Sequence, residues 1–384
     1  MDFSGCGNTF NRNHPIVQKL IVECLRYWVR EAHIDGFRFD EGSILARGEN
    51  GAPLPHPPLV WAIELDEDLM DVKLIAEAWD AAGLYQIGHF PGDRWGEWNG
   101  RYRDTIRRFV RGEAGIVGQV ADAIAGSASL YQARGGLPTN SINFVTCHDG
   151  FTLNDLVSYN VKHNEANGEG NNDGISDNLS WNCGTEGETS DAEVETLRER
   201  QIRNFLTILM LSRGVPMVLA GDEARRTQRG NNNAYCQDNE ISWFDWNAPE
   251  KHAGMLRFGF RKTHAAVRKN SFFTGEANAR GLTDVTWHGA RLGSPNWSDG
   301  QARALGFTLA GFDLDPDIHV MMNMYWEAVD MDIPRVAGRS WARVVDTSLP
   351  SPSDIVDPGA ETVWPGQSYP VKPRSVVVLF SKLV

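Results

Sequence analysis

The 384 residues are 41% hydrophobic and 23% charged, which suits one large folded domain with a smaller companion and excludes a disordered chain. A formal net charge of −13 argues against nucleic acid or an anionic membrane surface as partner. Five cysteines, odd in number and without a C-x-x-C pair, fit a reducing cytosol and neither a disulfide framework nor a zinc site. No basic-then-apolar leader opens the sequence, and the longest apolar run, around residues 205–211, is far too short to span a membrane. A cytoplasmic protein is therefore expected.

In chain order, residues 1–13 read as a Gly- and Asn-rich loop. His14-Pro15 introduces a helix whose apolar positions (Ile16, Val17, Leu20, Ile21, Cys24, Leu25, Trp28, Val29) recur at helical spacing. Ile34, Phe37 and Phe39 then predict a strand ending near Asp40. A Gly/Pro loop at 44–58 and a short helix at 59–70 follow. Val72-Lys-Leu-Ile-Ala-Glu-Ala-Trp-Asp80 is an apolar run that reaches Glu77, and a short strand is expected near 95–98. Residues 101–111 predict a basic amphipathic helix. Ser141-Ile-Asn-Phe-Val-Thr-Cys-His-Asp149 reads as another strand ending in polar groups. A long Asn/Gly-rich loop occupies 160–190, a strong helix 192–213, and Pro216-Met-Val-Leu-Ala-Gly-Asp-Glu223 repeats the pattern of a buried strand ending in acids. A helix at 254–269 closes this part.

The recurring unit is helix, apolar strand, polar strand end, loop, which is the pattern of a parallel α/β sheet. Functional groups at several strand C-termini are what a (β/α)8 barrel offers. Beyond residue 280 the pattern changes. Short strands at 283–287, 304–309, 319–323, 342–345 and 375–381, with no long helix between them, predict an all-β sandwich. The expected organisation is α/β: a partial (β/α)8 barrel over 1–280, about strands four to eight, followed by a β-sandwich over 281–384.

Three acids, Asp40, Glu77 and Asp149, end three predicted strands, and parallel strands bring such ends together. Arg38 and Asp40 are two apart and share one face of a strand; an arginine beside a carboxylate favours the ionised form a nucleophile needs. Glu77, between apolar Ile75 and Trp79, suits a general acid/base of raised pKa. Asp149, preceded by His148, could fix substrate hydroxyls. One ionised carboxylate, one carboxylic acid and a further acid match the chemistry of glycoside hydrolysis. Taken singly, each acid reads more readily as a strand-end cap, and Arg38–Asp40 as a structural ion pair; the three acids together with Arg38 and His148 favour the site. Trp79, Trp98 and Trp181, like Trp95, lie in or beside strand-end loops, where either sugar stacking or ordinary packing would use them. His163–Asn164 and Asp222-Glu223 are candidates for lining subsites.

Asp35-Gly-Phe-Arg-Phe-Asp40, Ala76-Glu-Ala-Trp-Asp80 and Phe144-Val-Thr-Cys-His-Asp149 resemble three of the four signature regions of the α-amylase superfamily (glycoside hydrolase family 13). Asn164-Glu-Ala-Asn-Gly, Asn178-Leu-Ser-Trp-Asn-Cys-Gly184 and Gly230-Asn-Asn-Asn-Ala-Tyr-Cys-Gln-Asp-Asn-Glu-Ile-Ser-Trp243 are similar to the isoamylase and glycogen debranching branch. The resemblance implies retaining hydrolysis of α-1,6 branch linkages in glycogen or limit dextrin. It makes Asp40 the nucleophile, Glu77 the acid/base and Asp149 the transition-state stabiliser, with Arg38 and His148 assisting. It implies no organic cofactor. Some members hold structural calcium, for which no ligands are assignable here; Asp173 and Asp177 lack a metal-ligand spacing.

Nothing before Ile34 matches the superfamily's first signature region, so the N-terminal domain and first barrel strands are expected to be missing. The chain would then be a fragment or truncated gene product, a non-catalytic glucan-binding remnant, or one subunit of a split enzyme completed by a second chain. Glucanotransfer is the other activity the superfamily allows. Two smaller departures are Glu41, which follows the nucleophile position where an apolar residue is usual, and Ala224-Arg-Arg226, which replaces an aromatic and a glycine. The first is expected to point away and tune the site; the second would reshape a subsite.

Overall fold

The His14 side chain accepts a hydrogen bond from the Ile16 amide and Pro15 takes the first helical position, so α1 (Pro15–Ala32) starts where the sequence predicts. In the computed structural model, which describes residues 1–248, 260–312 and 315–384, α1 is followed by β1 (Gly36–Phe39), α2 (Pro58–Glu64), β2 (Lys73–Ala76) and β3 (Gly96–Trp98). Next come α3 (Gly100–Val110), α4 (Val117–Ile124), α5 (Ala128–Tyr131), β4 (Ser141–Asn143), α6 (Leu153–Leu156), α7 (Ala192–Leu211) and β5 (Val215–Pro216).

The five strands form one sheet in the order β1-β2-β3-β4-β5, every pairing parallel. Chain order equals spatial order, so each loop after a strand opens at the same sheet end. Among the described residues β1 pairs only with β2 and β5 only with β4. Beside β1, Ile16, Leu20, Trp28 and Ile34 are exposed, whereas Leu25 of α1 is buried.

Two predicted strands are much shorter than their apolar runs. β4 stops at Asn143, and residues 144–149 run as irregular backbone. β5 has two residues, and Asp222 lies in a separate 3-10 turn (Asp222–Ala224). Pro216 has no amide to extend a ladder, and β5 has a neighbour on one side only among the described residues. The helix predicted at 254–269 falls partly outside the described residues; Phe260–Thr263 is helical and a 3-10 turn (Ala265–Val267) follows.

The C-terminal part is antiparallel. β6 (Val285–His288), β7 (Ala304–Leu309), β8 (Ile318–Asn323), β10 (Arg339–Asp346), β11 (Thr362–Trp364) and β13 (Ser375–Leu383) build a six-stranded sheet ordered β11-β10-β13-β8-β7-β6. β9 (Val329–Asp332) and β12 (Ser368–Val371) pair separately. One face of the large sheet meets this ribbon around Met321, Met331, Trp341, Tyr369 and Leu379. The other joins the α/β part: a single apolar cluster runs from Tyr102, Phe109, Phe205 and Leu209 to Leu305, Phe307, Val376 and Val378. The change of architecture near residue 280 is thus no break in the core.

Candidate active site

Asp40 and Glu77 each follow immediately after a strand, β1 and β2, which run in parallel register with Phe39 opposite Ala76. The Glu77 amide continues the ladder by donating to the Phe39 carbonyl at 3.0 Å. Adjacent strand ends therefore deliver the two acids side by side. Arg38 lies between them. Its Nη1 contacts Asp40 Oδ1, and its Nη2 is 3.0 Å from Glu77 Oε2, an ion pair not aligned as a hydrogen bond. The guanidinium rests on the Trp98 ring, 4.3 Å from its centroid. That platform comes from β3, the next strand along.

The two acids differ in environment. The Asp40 side chain is 77% exposed and that of Glu77 is 6% exposed. Burial raises Glu77 to about 7; the Glu41 amide and Arg38 oppose the shift, and Asp40 adds to it. The amide bond, Glu41 N to Glu77 Oε2 at 2.7 Å, corrects the expectation for Glu41. The strand does not continue there. Glu41 turns into left-handed backbone (φ 43°), which aims its amide, not its carboxylate, at Glu77. Its own carboxyl is pushed up by burial, with Asp40 and Asp80 adding to the shift.

Asp149 reaches the same end by another route. It sits in the irregular loop after β4; His148 Nε2 is 3.3 Å from Asp149 Oδ2. The His148 ring meets Trp98 edge-on, with centroids 5.7 Å apart. Contacts therefore run unbroken from Asp40 through Arg38, Trp98 and His148 to Asp149. Trp79 packs against the apolar cluster of Trp98, Ile142 and Phe144 and stacks on Tyr85.

The remaining candidates lie elsewhere. Trp181 meets Trp326 edge-on and carries the Arg374 guanidinium, so it joins the two halves of the molecule. Trp95 is buried between Phe39 and Phe90. Asn164 and Asp222 are buried and line no surface. Asp222 binds Thr146 Oγ1 and accepts from the Leu153 amide at 2.9 Å; burial raises it to about 6. Arg225, from the unusual Ala224-Arg-Arg226 string, pairs with Glu195 and Glu199 on α7.

Three features were not anticipated. Arg47 grips Asp80 with two bonds of 2.6 and 2.9 Å, anchoring the 44–58 loop beside Glu77. Glu97 on β3 is fully buried against Arg134 at 2.7 Å and raised by burial to about 7. Lys162 Nζ is held by the carbonyls of Asn172, Asp173 and Gly174. The isolated acidic letters of the sequence carry no pattern that distinguishes such pairs. Among the described residues no group of three or more His, Cys, Asp or Glu could hold a metal ion. All five cysteines are free. No helix among the described residues is long and apolar enough to cross a membrane.

A parallel sheet with acids at its strand ends, followed by an antiparallel β region, has counterparts among solved structures. The pullulanase from Bacillus acidopullulyticus superposes with a TM-score of 0.71 at 22% identity, over 99% of this chain and 42% of that one. Sequence narrows the relationship. Residues 286–376 match the "Isoamylase 1-3, C-terminal" family. The chain is 47% identical to "Isoamylase 3, chloroplastic" of Oryza sativa subsp. japonica, over 100% of this chain and 48% of that protein. It is 43% identical to the "Glycogen operon protein GlgX homolog" of Mycobacterium tuberculosis (98% and 55%) and 40% identical to a "Glycogen debranching enzyme" of Yersinia enterocolitica (96% and 54%). Along its length the chain is thus a homologue of proteins named isoamylase, GlgX and glycogen debranching enzyme. It spans about half the length of the curated relatives it matches. The names of the plant relatives place those proteins in the chloroplast.

Proposed function

We propose that this chain carries the catalytic centre of a glycosidase that cleaves α-1,6 branch linkages of glycogen or a related α-glucan with retention of configuration. Arg38 spanning Asp40 and Glu77 is the observation that carries the reading. Retaining enzymes hold their two carboxyls about 5 Å apart, whereas inverting ones leave roughly 6.5–9.5 Å for a water. Two carboxylates on one guanidinium suit the closer spacing.

In this reading Glu77, held near pH 7, gives its proton to the glycosidic oxygen as Asp40 attacks the anomeric carbon. The leaving chain departs with that proton. Water, deprotonated by Glu77, then releases the sugar from Asp40. Asp149 and His148 hold ring hydroxyls as positive charge develops at the anomeric centre, and Trp79 and Trp98 supply aromatic walls. Arg38 keeps the nucleophile aligned. We further propose that residues 1–280 form the arc of a (β/α)8 barrel, supported by five parallel strands in chain order, and that 281–384 form the accompanying β-sandwich.

The test is release of reducing ends from glycogen and limit dextrin by the 384-residue chain, alone and mixed with the remaining half of a debranching relative. Asp40→Asn serves as control. Branch-specific release that Asp40→Asn abolishes is expected. Well-folded protein that binds glucan and releases nothing in either arrangement overturns the hydrolytic reading in favour of a binding module. Lengthening of maltooligosaccharides without hydrolysis would reassign the site to glucanotransfer.

A further inference from the structure

Asp149 stands on a loop without a ladder, so bonds from elsewhere in the chain must fix its backbone. At the loop's near end the Val145 carbonyl accepts from Arg107 Nε at 2.7 Å. At its far end the Gly150 amide donates to the Asn232 carbonyl at 2.9 Å, with Gly150 in left-handed backbone (φ 97°). These anchors are joined behind the loop. Arg107 Nη1 donates to the Asn178 carbonyl at 2.9 Å, and Asn232 Nδ2 donates to Asn178 Oδ1 at 3.0 Å. The circuit Val145–Arg107–Asn178–Asn232–Gly150 closes on the loop it holds.

Asn232 is the best-secured member. Its amide donates to Asn164 Oδ1 and its Oδ1 accepts from Asn164 Nδ2, both at 2.9 Å. Its Nδ2 also reaches the Ile175 carbonyl at 2.7 Å. Asn232 and Asn164 are 1% and 0% exposed. Only a side chain with a donor and an acceptor fills both places. The Asp149 side chain, by contrast, is 59% exposed and meets His148, so its position follows its backbone.

We propose that Asn232, acting through Gly150, is a positioning residue that sets the place of Asp149; the inference rests on the catalytic reading above. An asparagine that merely stabilised its own loop would not close a circuit around an acid-bearing one. Displacement of a reacting group by about 1 Å can cost on the order of 100-fold in rate. Freeing the Gly150 anchor would permit that much.

The test compares Asn232→Leu, which keeps the shape and the backbone bonds but loses the three side-chain bonds that hold its carbonyl in place, and Asn232→Asp, which sets a carboxylate against the Ile175 carbonyl and Asn178 Oδ1. Amide exchange in the 384-residue chain is read first. Protection over residues 145–153 is expected to fall at least about tenfold while that of α7, β8 and β13 stays unchanged. Glucan hydrolysis is read second. We expect kcat to fall about 10- to 100-fold with KM within about twofold, and no further loss when Asn232→Leu is added to Asp149→Asn. Unchanged protection at 145–153, loss spread evenly over the molecule, or an equal kcat loss in the Asp149→Asn background overturns the proposal. If the parent chain hydrolyses no glucan either alone or mixed with the remaining half of a relative, the catalytic reading fails by itself, and exchange alone decides whether Asn232 holds the loop.

Discussion

Glu77 holds a proton more tightly in the folded chain than a free glutamate does, and that difference is a stability term. Burial raises it from 4.5 to about 7. Its contribution is therefore fully present below about pH 4.5 and is lost as pH rises through about 7, where a buried carboxylate must ionise. Removing the charge should help the fold where it hurts the site. Glu77→Gln is expected to be more stable than the parent by about 1–3 kcal/mol at pH 8 and no different at pH 4.5. Thermal unfolding at the two pH values measures this. An equal shift at both would show that Glu77 bears no ionisation strain. The same variant should be inactive throughout, since glutamine carries no proton to give.

At the scale of elements, α7 is the member that ties the parallel sheet to the antiparallel one. Asn204 on α7 donates to the Arg374 carbonyl at 2.9 Å and accepts from Thr347 Oγ1 at 2.6 Å, both beyond residue 340. Asn204→Leu leaves these buried groups unmatched and should cost about 1–3 kcal/mol. Because one apolar cluster crosses the junction, denaturant melts followed by tryptophan fluorescence and by circular dichroism should still coincide and shift together. Two separated transitions in the parent would contradict a shared core. Coupling of this kind is where sequence reading ends. Asp40 and Glu77 were legible because each follows a short apolar strand directly, and Arg38 because side chains two apart share a face. Asp149 was legible as a residue but not as a place: its apolar approach resembles a strand, whereas buried polar side chains from far along the chain hold it as a loop. The setting of Trp181 was hidden for the same reason. Its surroundings are set by Trp326 and Arg374, which no local spacing announces. β9 and β12 escaped notice because short, half-exposed strands have no long apolar run.

For the molecule as a whole, acid should undo the β region through two buried histidines. Gly293 donates to His288 Nδ1 at 3.0 Å, so His288 Nε2 donates to Thr308 Oγ1 and Thr308 in turn to His319 Nδ1, each at 2.9 Å. Both rings are neutral in this chain of bonds. Burial lowers His288 to about 4 and His319 to about 3, with the neighbouring His288 adding to the latter. The unfolded chain binds more protons below pH 6.5, so stability falls as pH drops from there toward 4. Each histidine should contribute about 2–3 kcal/mol to the loss between pH 6.5 and 4.5. His319→Gln should flatten the slope of urea midpoint against pH, and an unchanged slope would refute the assignment. The central claim, that one arginine presents a nucleophile and an acid at adjacent strand ends, is tested most directly by trapping. The chain is incubated with a 2-deoxy-2-fluoro-α-glucosyl donor that slows release of the covalent intermediate, then digested and sequenced by mass spectrometry. The account predicts one glycosyl adduct, on Asp40, absent from Asp40→Asn. An adduct on another residue, or turnover by a chain that lacks the Asp40 carboxylate, would contradict it.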